Sequence, residues 1–254
     1  VWPRISPWRL ELFRWYARRF VGRHFHTVRV AGRGAVGADV PLVVYANHAS
    51  WWDPMLLLLV QERVGPGRSH YAPVDARALD RYAMLKRMGF FGVEQHHARG
   101  AVQFLRTSQA ILGRSGTALW LTPQGRFADV RERPVRFQRG LGALAARCQH
   151  TLFLPLAIEY TFWEERLPEA LIWIGSPTLV ECGNDADVRG WTHFFEEQLR
   201  ALQERLAAAA TQRQSSEFEI VLKGSGGVTG VYDAWRALLA RLRGQSFQKE
   251  HGTL

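Results

Sequence analysis

Leu42-Val43-Val44-Tyr45-Ala46-Asn47-His48-Ala49-Ser50-Trp51-Trp52-Asp53-Pro54 decides how this chain reads. Five apolar residues in a row fit a strand buried on both faces. The polar Asn47-His48 pair marks its exit. Asp53-Pro54 marks a helix start, because aspartate is a favoured N-cap and proline is tolerated at the first helical position. On an ideal helix, five residues at ~100° each leave His48 and Asp53 roughly 140° apart, and the residue before a proline avoids the helical region. The segment is therefore expected to be a tight loop that folds His48 back toward Asp53. The carboxylate then accepts from Nδ1–H and leaves Nε2 as an acceptor, able to take a proton from a hydroxyl. Two blander readings stand beside this one: Asp53 as a helix cap alone, and a chance His-x4-Asp pairing.

Outward from this segment, short apolar runs alternate with helical patterns. Strands are expected at 28–30, 41–46, 71–74, 90–93, 117–121, 152–160 and 170–174. Helices are expected at 7–25, 53–63, 78–88, 99–113, 141–148 and 191–210. Such alternation indicates an α/β domain, here with a mixed, largely parallel central sheet flanked by helices. The expected organisation is an N-terminal amphipathic helical segment (1–27), the α/β domain (28–222), and a Gly-rich linker with a basic helix (223–254).

With 254 residues, 47% of them apolar, the chain can bury a sizeable core. The net charge of +10 rests almost wholly on arginine, since lysine occurs only at Lys86, Lys223 and Lys249. That charge favours an anionic partner such as a membrane surface or a nucleotide-bearing donor. No nucleic-acid-binding module is recognisable, so nucleic acid is not an expected partner. Cys148 and Cys182 make no disulfide framework and suit a reducing compartment. No run reaches the ~18 apolar residues of a membrane span. The sequence begins at Val1, which leaves an upstream anchor open.

In the first helix Trp8, Leu12, Trp15, Tyr16 and Arg19 recur at helical spacing, with Arg9, Arg14, Arg18 and Arg23 among them. A basic helix with an aromatic side fits the membrane interface; the alternative is a helix docked on the domain with arginines as its wet face.

Four segments in order resemble the glycerophospholipid acyltransferase superfamily, whose bacterial members include lysophosphatidic acid acyltransferases. Asn47 to Pro54 resembles its first block, Gly89-Phe90-Phe91-Gly92-Val93-Glu94 its second, Leu121-Thr122-Pro123-Gln124-Gly125 its third, with Phe137-Gln138-Arg139-Gly140 as the tail, and Leu154-Pro155-Leu156-Ala157-Ile158 its fourth. The resemblance implies acyl transfer without a covalent acyl-enzyme, with His48 as general base and Asp53 orienting it. It implies Asn47, Arg99, Gln124, Gly125, Arg126 and Arg139 as substrate-binding positions. It implies acyl-CoA or acyl carrier protein as co-substrate, a membrane lipid as acceptor, and peripheral attachment at the cytoplasmic face of the membrane. No metal and no bound cofactor are expected.

The departures bear on the acceptor. Where the second block typically ends in Arg, this chain has Gln95; where the third reads Pro-Glu-Gly-Thr-Arg, it has Pro123-Gln124-Gly125-Arg126-Phe127. Two expected phosphate-binding positions are thus neutral or apolar, and Arg99 and Arg126 are the candidates to replace them. An arginine fork suits phosphate in a way these residues do not. The acceptor is therefore expected to extend beyond lysophospholipids, to a glycosylated lipid or terpenoid with a free hydroxyl. The adjacent His96-His97 pair has no matching Cys/His cluster for metal. Two other classes remain: an acyl-thioester hydrolase in which His48 activates water, and a basic acidic-lipid-binding protein on a degraded acyltransferase fold. No Gly-x-Ser-x-Gly elbow supports a serine hydrolase.

Overall fold

The computed structural model describes residues 3–32, 36–94, 97–181 and 186–225, with isolated positions 235, 239 and 241. The expected linker and basic helix (223–254) lie outside these residues except for 223–225 and the three isolated positions, as do Gln95, His96 and Cys182.

A mixed, largely parallel sheet forms the middle layer, as the alternation requires. Five strands run parallel side by side: β4 (Phe90–Val93), β3 (Ser69–Asp75), β5 (Thr117–Leu121), β2 (Leu42–Ala46) and β6 (His150–Thr161). Then β7 (Glu169–Ile174) returns antiparallel beside β6, β1 (Thr27–Gly32) pairs parallel with β7, and β9 (Glu219–Lys223) closes the edge antiparallel to β1. The short β8 (Thr178–Glu181) pairs with the first residues of β6.

Helices cover both faces. On one face α1 (Pro7–His24) and α2 (Asp53–Val64) pack over Leu42, Val44, Ala46, Trp120, Leu154 and Leu156. On the other, α4 (Ala98–Leu112), α5 (Gly140–Ala145) and α6 (Val188–Thr211) pack over Val43, Tyr45, Leu119, Leu121 and Phe153. All five residues of β2 are buried because both faces are covered. Complete burial of one such Val or Leu contributes ~1.5–3 kcal/mol. The small residues of α5 have a steric reason: a Cβ on Gly142 would lie 2.4 Å from the Val188 carbonyl oxygen of α6.

The structure differs from the sequence reading in several local details. The helix expected over 78–88 is two pieces, α3 (Ala76–Arg81) and a 3₁₀ turn at Ala83–Arg87, broken at Tyr82. Neither piece buries a residue, so no packed face carries a continuous helix past Tyr82. The strands β8 and β9 carry no buried apolar run, β9 being largely exposed, and this hides both from a hydrophobicity reading. Asp53 is not an N-cap: Trp52 holds that position, and Asp53 is the first helical residue, its carboxylate turned inward. The N-terminal helix lies against the domain, with Ala17 and Val21 buried and Arg14 donating to Glu62 of α2 at 2.9 Å.

The order β4-β3-β5-β2-β6 positions the site. The chain leaves β2 through α2 toward β3 and leaves the adjacent β5 through α5 toward β6. These connections depart in opposite directions over opposite faces. That is a topological switch point, and ligands of open α/β sheets bind outside the carboxyl ends of the strands there. His48 follows β2 and Gln124 follows β5.

Candidate active site

The loop after β2 folds as its sequence requires. A turn returns the Asp53 N–H to the Ser50 carbonyl at 3.1 Å, and α2 starts immediately, with Pro54 in its first turn. His48 Nδ1 then lies 2.7 Å from Asp53 Oδ2. The same oxygen accepts the Ser50 N–H at 3.0 Å, and the Tyr160 hydroxyl donates to Oδ1 at 2.5 Å. Asp53 is 0% exposed and the His48 side chain 20%. A fully buried carboxylate is tolerated when its lone pairs are met, and here three donors meet them. With Nδ1–H donated to Asp53, Nε2 is the nitrogen with a free lone pair.

The backbone around His48 is held from two sides. Its N–H donates to Gln124 Oε1 at 2.9 Å, and its carbonyl accepts the Ala128 N–H at 2.8 Å. Asn47 staples the strand exit to β6: its side-chain amide donates to the Ile158 carbonyl at 2.9 Å and accepts the Ile158 N–H at 2.8 Å. Gly125 turns the chain after Pro123-Gln124 with φ 68°, a conformation that favours glycine. Phe127, just beyond, lays its ring against the His48 imidazole, with centroids 4.4 Å apart.

Of the eight site residues expected from sequence, His48, Asp53, Asn47, Gln124 and Gly125 converge at the ends of β2, β5 and β6. Their contacts differ from a simple ligand shell. The Asn47 amide and the Gln124 carbonyl are engaged with backbone, and the Gly125 N–H donates to the Thr122 carbonyl at 3.1 Å. Arg126 is exposed and ion-paired with Glu132. Arg139 is exposed at the cap of α5. Arg99 stands at the start of α4 and lines a shallow groove of about 550 Å³ with Val102, Gln103 and Arg106, apart from the residues around His48. Among the described residues no cluster of three or more His, Cys, Asp or Glu side chains is placed to hold a metal ion.

Tyr160 is the residue that sequence reasoning missed, and Phe127 was noted there only as a departure from the third block, not as a neighbour of His48. Burial first, and then the charge of Asp53 and its hydrogen bond, push the Tyr160 hydroxyl well above the usual tyrosine range. It therefore remains a donor at any ordinary pH. The usable signal was a hydroxyl at the end of a strand neighbouring β2.

Around the loop the aromatic surface is continuous. Phe20 of α1 packs on Trp52 and Trp51, with centroids at 5.3 and 6.4 Å. Trp8, Trp15 and Trp51 stay 65%, 61% and 60% exposed. No helix among the described residues is long and apolar enough to cross a membrane.

Fold and site together define an α/β protein with an oriented His–Asp pair at the switch point of its sheet. A family model described as Acyltransferase matches residues 27–159, more than half of the chain. The chain belongs to the acyltransferase family. Among solved structures it is similar to the 1-acyl-sn-glycerophosphate (LPA) acyltransferase PlsC from Thermotoga maritima, with a TM-score of 0.51 and 15% identity over 78% of each chain. At that identity the likeness speaks for the fold. No curated protein matches the chain in sequence.

Proposed function

We propose that this acyltransferase moves a fatty acyl group from acyl-CoA or acyl carrier protein to a lipid hydroxyl at a membrane surface. The observation that carries the reading is the 2.7 Å contact between His48 Nδ1 and buried Asp53, which directs the other ring nitrogen outward at the rim. His48 Nε2 takes the proton of the acceptor hydroxyl as its oxygen attacks the thioester carbonyl carbon. Asp53 holds the ring and balances the imidazolium. Collapse of the tetrahedral adduct breaks the C–S bond, and the imidazolium returns its proton to the departing sulfur. The products are an ester and a thiol. A positioned general base of this kind contributes ~10²–10⁴-fold.

The acceptor in this reading carries its hydroxyl on a body that does not depend on a phosphate. Phe127 stands beside the ring of His48, and Arg126 is paired with Glu132. An aromatic face next to the base favours an apolar or sugar ring over a phosphate. A glycosylated lipid or terpenoid fits that wall, and a lysophospholipid fits it less well.

The reading includes peripheral attachment at the cytoplasmic face of the membrane, and α1 supports contact with a membrane surface. Arg9, Arg18, Arg19 and Arg23 are exposed on the helix that shows Trp8 and Trp15 to solvent. Such a surface lies in the headgroup region of an anionic leaflet, and Trp51 puts the His48 loop at the same level.

The experiment is transfer of a labelled acyl group from acyl-CoA, and separately from acyl carrier protein, to phosphate-bearing and phosphate-free lipid alcohols. Preference for the phosphate-free acceptors is expected. A clear preference for lysophosphatidic acid discards the acceptor assignment, and acceptor-independent release of free fatty acid replaces transfer with hydrolysis.

A further inference from the structure

We infer that Tyr160 is a positioning residue of the reaction, fixing the Asp53 carboxylate from behind so that Oδ2 faces His48 Nδ1. The inference rests on the reading of His48 as general base, but its physical content concerns three side chains and is measurable without substrate.

A carboxylate turns about its Cβ–Cγ bond and presents either oxygen to a partner. In Asp53 the two oxygens have different company. Oδ2 holds His48 Nδ1 at 2.7 Å and the Ser50 N–H at 3.0 Å, while the Tyr160 hydroxyl supplies the hydrogen bond to Oδ1, at 2.5 Å. Asp53 is fully buried, so no solvent replaces that donor. Without it one oxygen is left unmet in the interior, and the carboxylate gains by turning or tilting to share its remaining donors. The Nδ1–H···Oδ2 line then loosens, and the imidazole loses its preference for the tautomer with Nε2 unprotonated.

Tyr160 is itself well held. It sits near the end of β6, the strand that Asn47 staples to the His48 loop through the Ile158 backbone. Its ring packs on Phe25 with centroids 5.8 Å apart, and Phe25 packs edge-on against Trp52. The hydroxyl thus reaches Asp53 from rigid sheet rather than from a loop. Other ionisable groups on surrounding elements stand apart from this line: Glu159 precedes Tyr160 on β6, Arg126 is paired with Glu132, and His24 of α1 stacks on Trp52 at 5.2 Å.

The test is Tyr160→Phe, which keeps the ring and removes the donor. Three readouts are needed. In steady-state transfer, kcat falls about ten- to a hundredfold with little change in KM for donor or acceptor, the usual size for losing the group that orients a functional side chain. In ¹⁵N NMR of the substrate-free protein, the His48 ring nitrogens move from a single tautomer toward a mixture. In the Asp53→Asn background the same substitution costs much less than in the parent, because both act on one contact. Equal kcat and unchanged ring nitrogens in Tyr160→Phe overturn the proposal. So does a rate loss that comes with raised KM, a lowered melting temperature and an undisturbed His48 tautomer, which would make Tyr160 a packing residue. If the parent protein transfers no acyl group to any lipid alcohol, the functional reading fails by itself, and the NMR arm still judges Tyr160.

Discussion

Two histidines, one just beyond a strand of the central sheet and one within it, show how partners set the behaviour of one residue type. His48 leaves the carboxyl end of β2 and donates Nδ1–H to Asp53, with its far nitrogen toward the rim. His70 lies near the amino end of β3 and does the reverse. Its Nδ1 accepts the Trp120 indole N–H at 3.0 Å, so its proton is on Nε2. That nitrogen is buried, turned toward the Gly65 backbone and 4.0 Å from a Glu62 carboxylate that already serves Arg14. Burial, with smaller contributions from Arg14 and Arg68, lowers the His70 pKa to about 4 against the opposing pull of Glu62. In the proposed reaction the first ring exchanges a proton; the second is kept neutral by burial and serves packing. Neither difference lies in the histidine. It lies in whether the Nδ1 partner is an acceptor or a donor, and in which end of the parallel strands the ring occupies.

The sharpest way to break this contrast is to remove each ring in turn. His48→Ala should lower acyl transfer by ~10²–10⁴-fold while leaving the melting temperature within a few degrees, because the ring is held at a loop and fills no core. His70→Ala should behave oppositely. It strands the Trp120 N–H and opens a buried gap, at a cost of ~2–4 kcal/mol, with turnover per folded molecule little changed. Purified protein, thermal melts and transfer assays separate the two. Near-parental turnover in His48→Ala would remove the general-base assignment. Asp53→Asn tests the partner rather than the ring: it keeps the size and removes the charge. Turnover should drop by at least ~10²-fold, with donor affinity almost untouched.

A second test uses pH and concerns stability. The unfolded chain protonates His70 near pH 6.5, whereas the folded chain does so only near 4. Between these values the unfolded state binds more protons, so stability is full above about pH 6.5 and declines as pH falls. The loss grows to ~3 kcal/mol at and below about pH 4. Urea unfolding at several pH values should show this slope, and His70→Phe should flatten it. An identical slope in both proteins would mean that another group drives the acid loss.

How much of this was legible in the sequence depended on distance along the chain. The His48–Asp53 pair spans five positions, so the strand exit and the nearby helix start were enough to bring the two together, although Asp53 is the first helical residue rather than the cap. The layered fold followed from buried runs such as 42–46 and 117–121. Tyr160 lies 107 residues beyond Asp53, and the two meet only because β6 runs parallel beside β2, a register that no local pattern encodes. Gln124 was expected among substrate contacts from its block position, but its carbonyl meets the His48 backbone. Side-chain amides look alike in sequence whether they bind a ligand or a peptide group. The edge strands β8 and β9 stayed hidden for want of a buried run, and α3 was overextended because apolar Leu79, Ala83 and Met84 look like a helix face that in fact packs on nothing deeply.

The smallest expected effect concerns α1, for which two readings stood side by side: membrane contact and docking on the domain. The helix docks through Ala17, Val21 and Arg14, yet shows Trp8, Leu12, Trp15 and Tyr16 to solvent. Deleting the whole segment would therefore uncover core around Val21 and Phe25 and confuse binding with unfolding. Trp8→Ala and Trp15→Ala avoid this, because both rings are exposed and contribute little to the fold. Each indole that enters the headgroup layer brings a burial gain of about 1–2 kcal/mol. Each substitution should then weaken sedimentation with anionic vesicles by about tenfold, with the melting temperature unchanged. Trp51→Ala should weaken binding similarly and also slow transfer to a lipid acceptor presented in vesicles more than to the same acceptor dispersed in detergent. Binding unaffected by all three changes would leave α1 as a docked helix with a wet aromatic face. The transfer reaction at His48 would then have to draw its acceptor from solution.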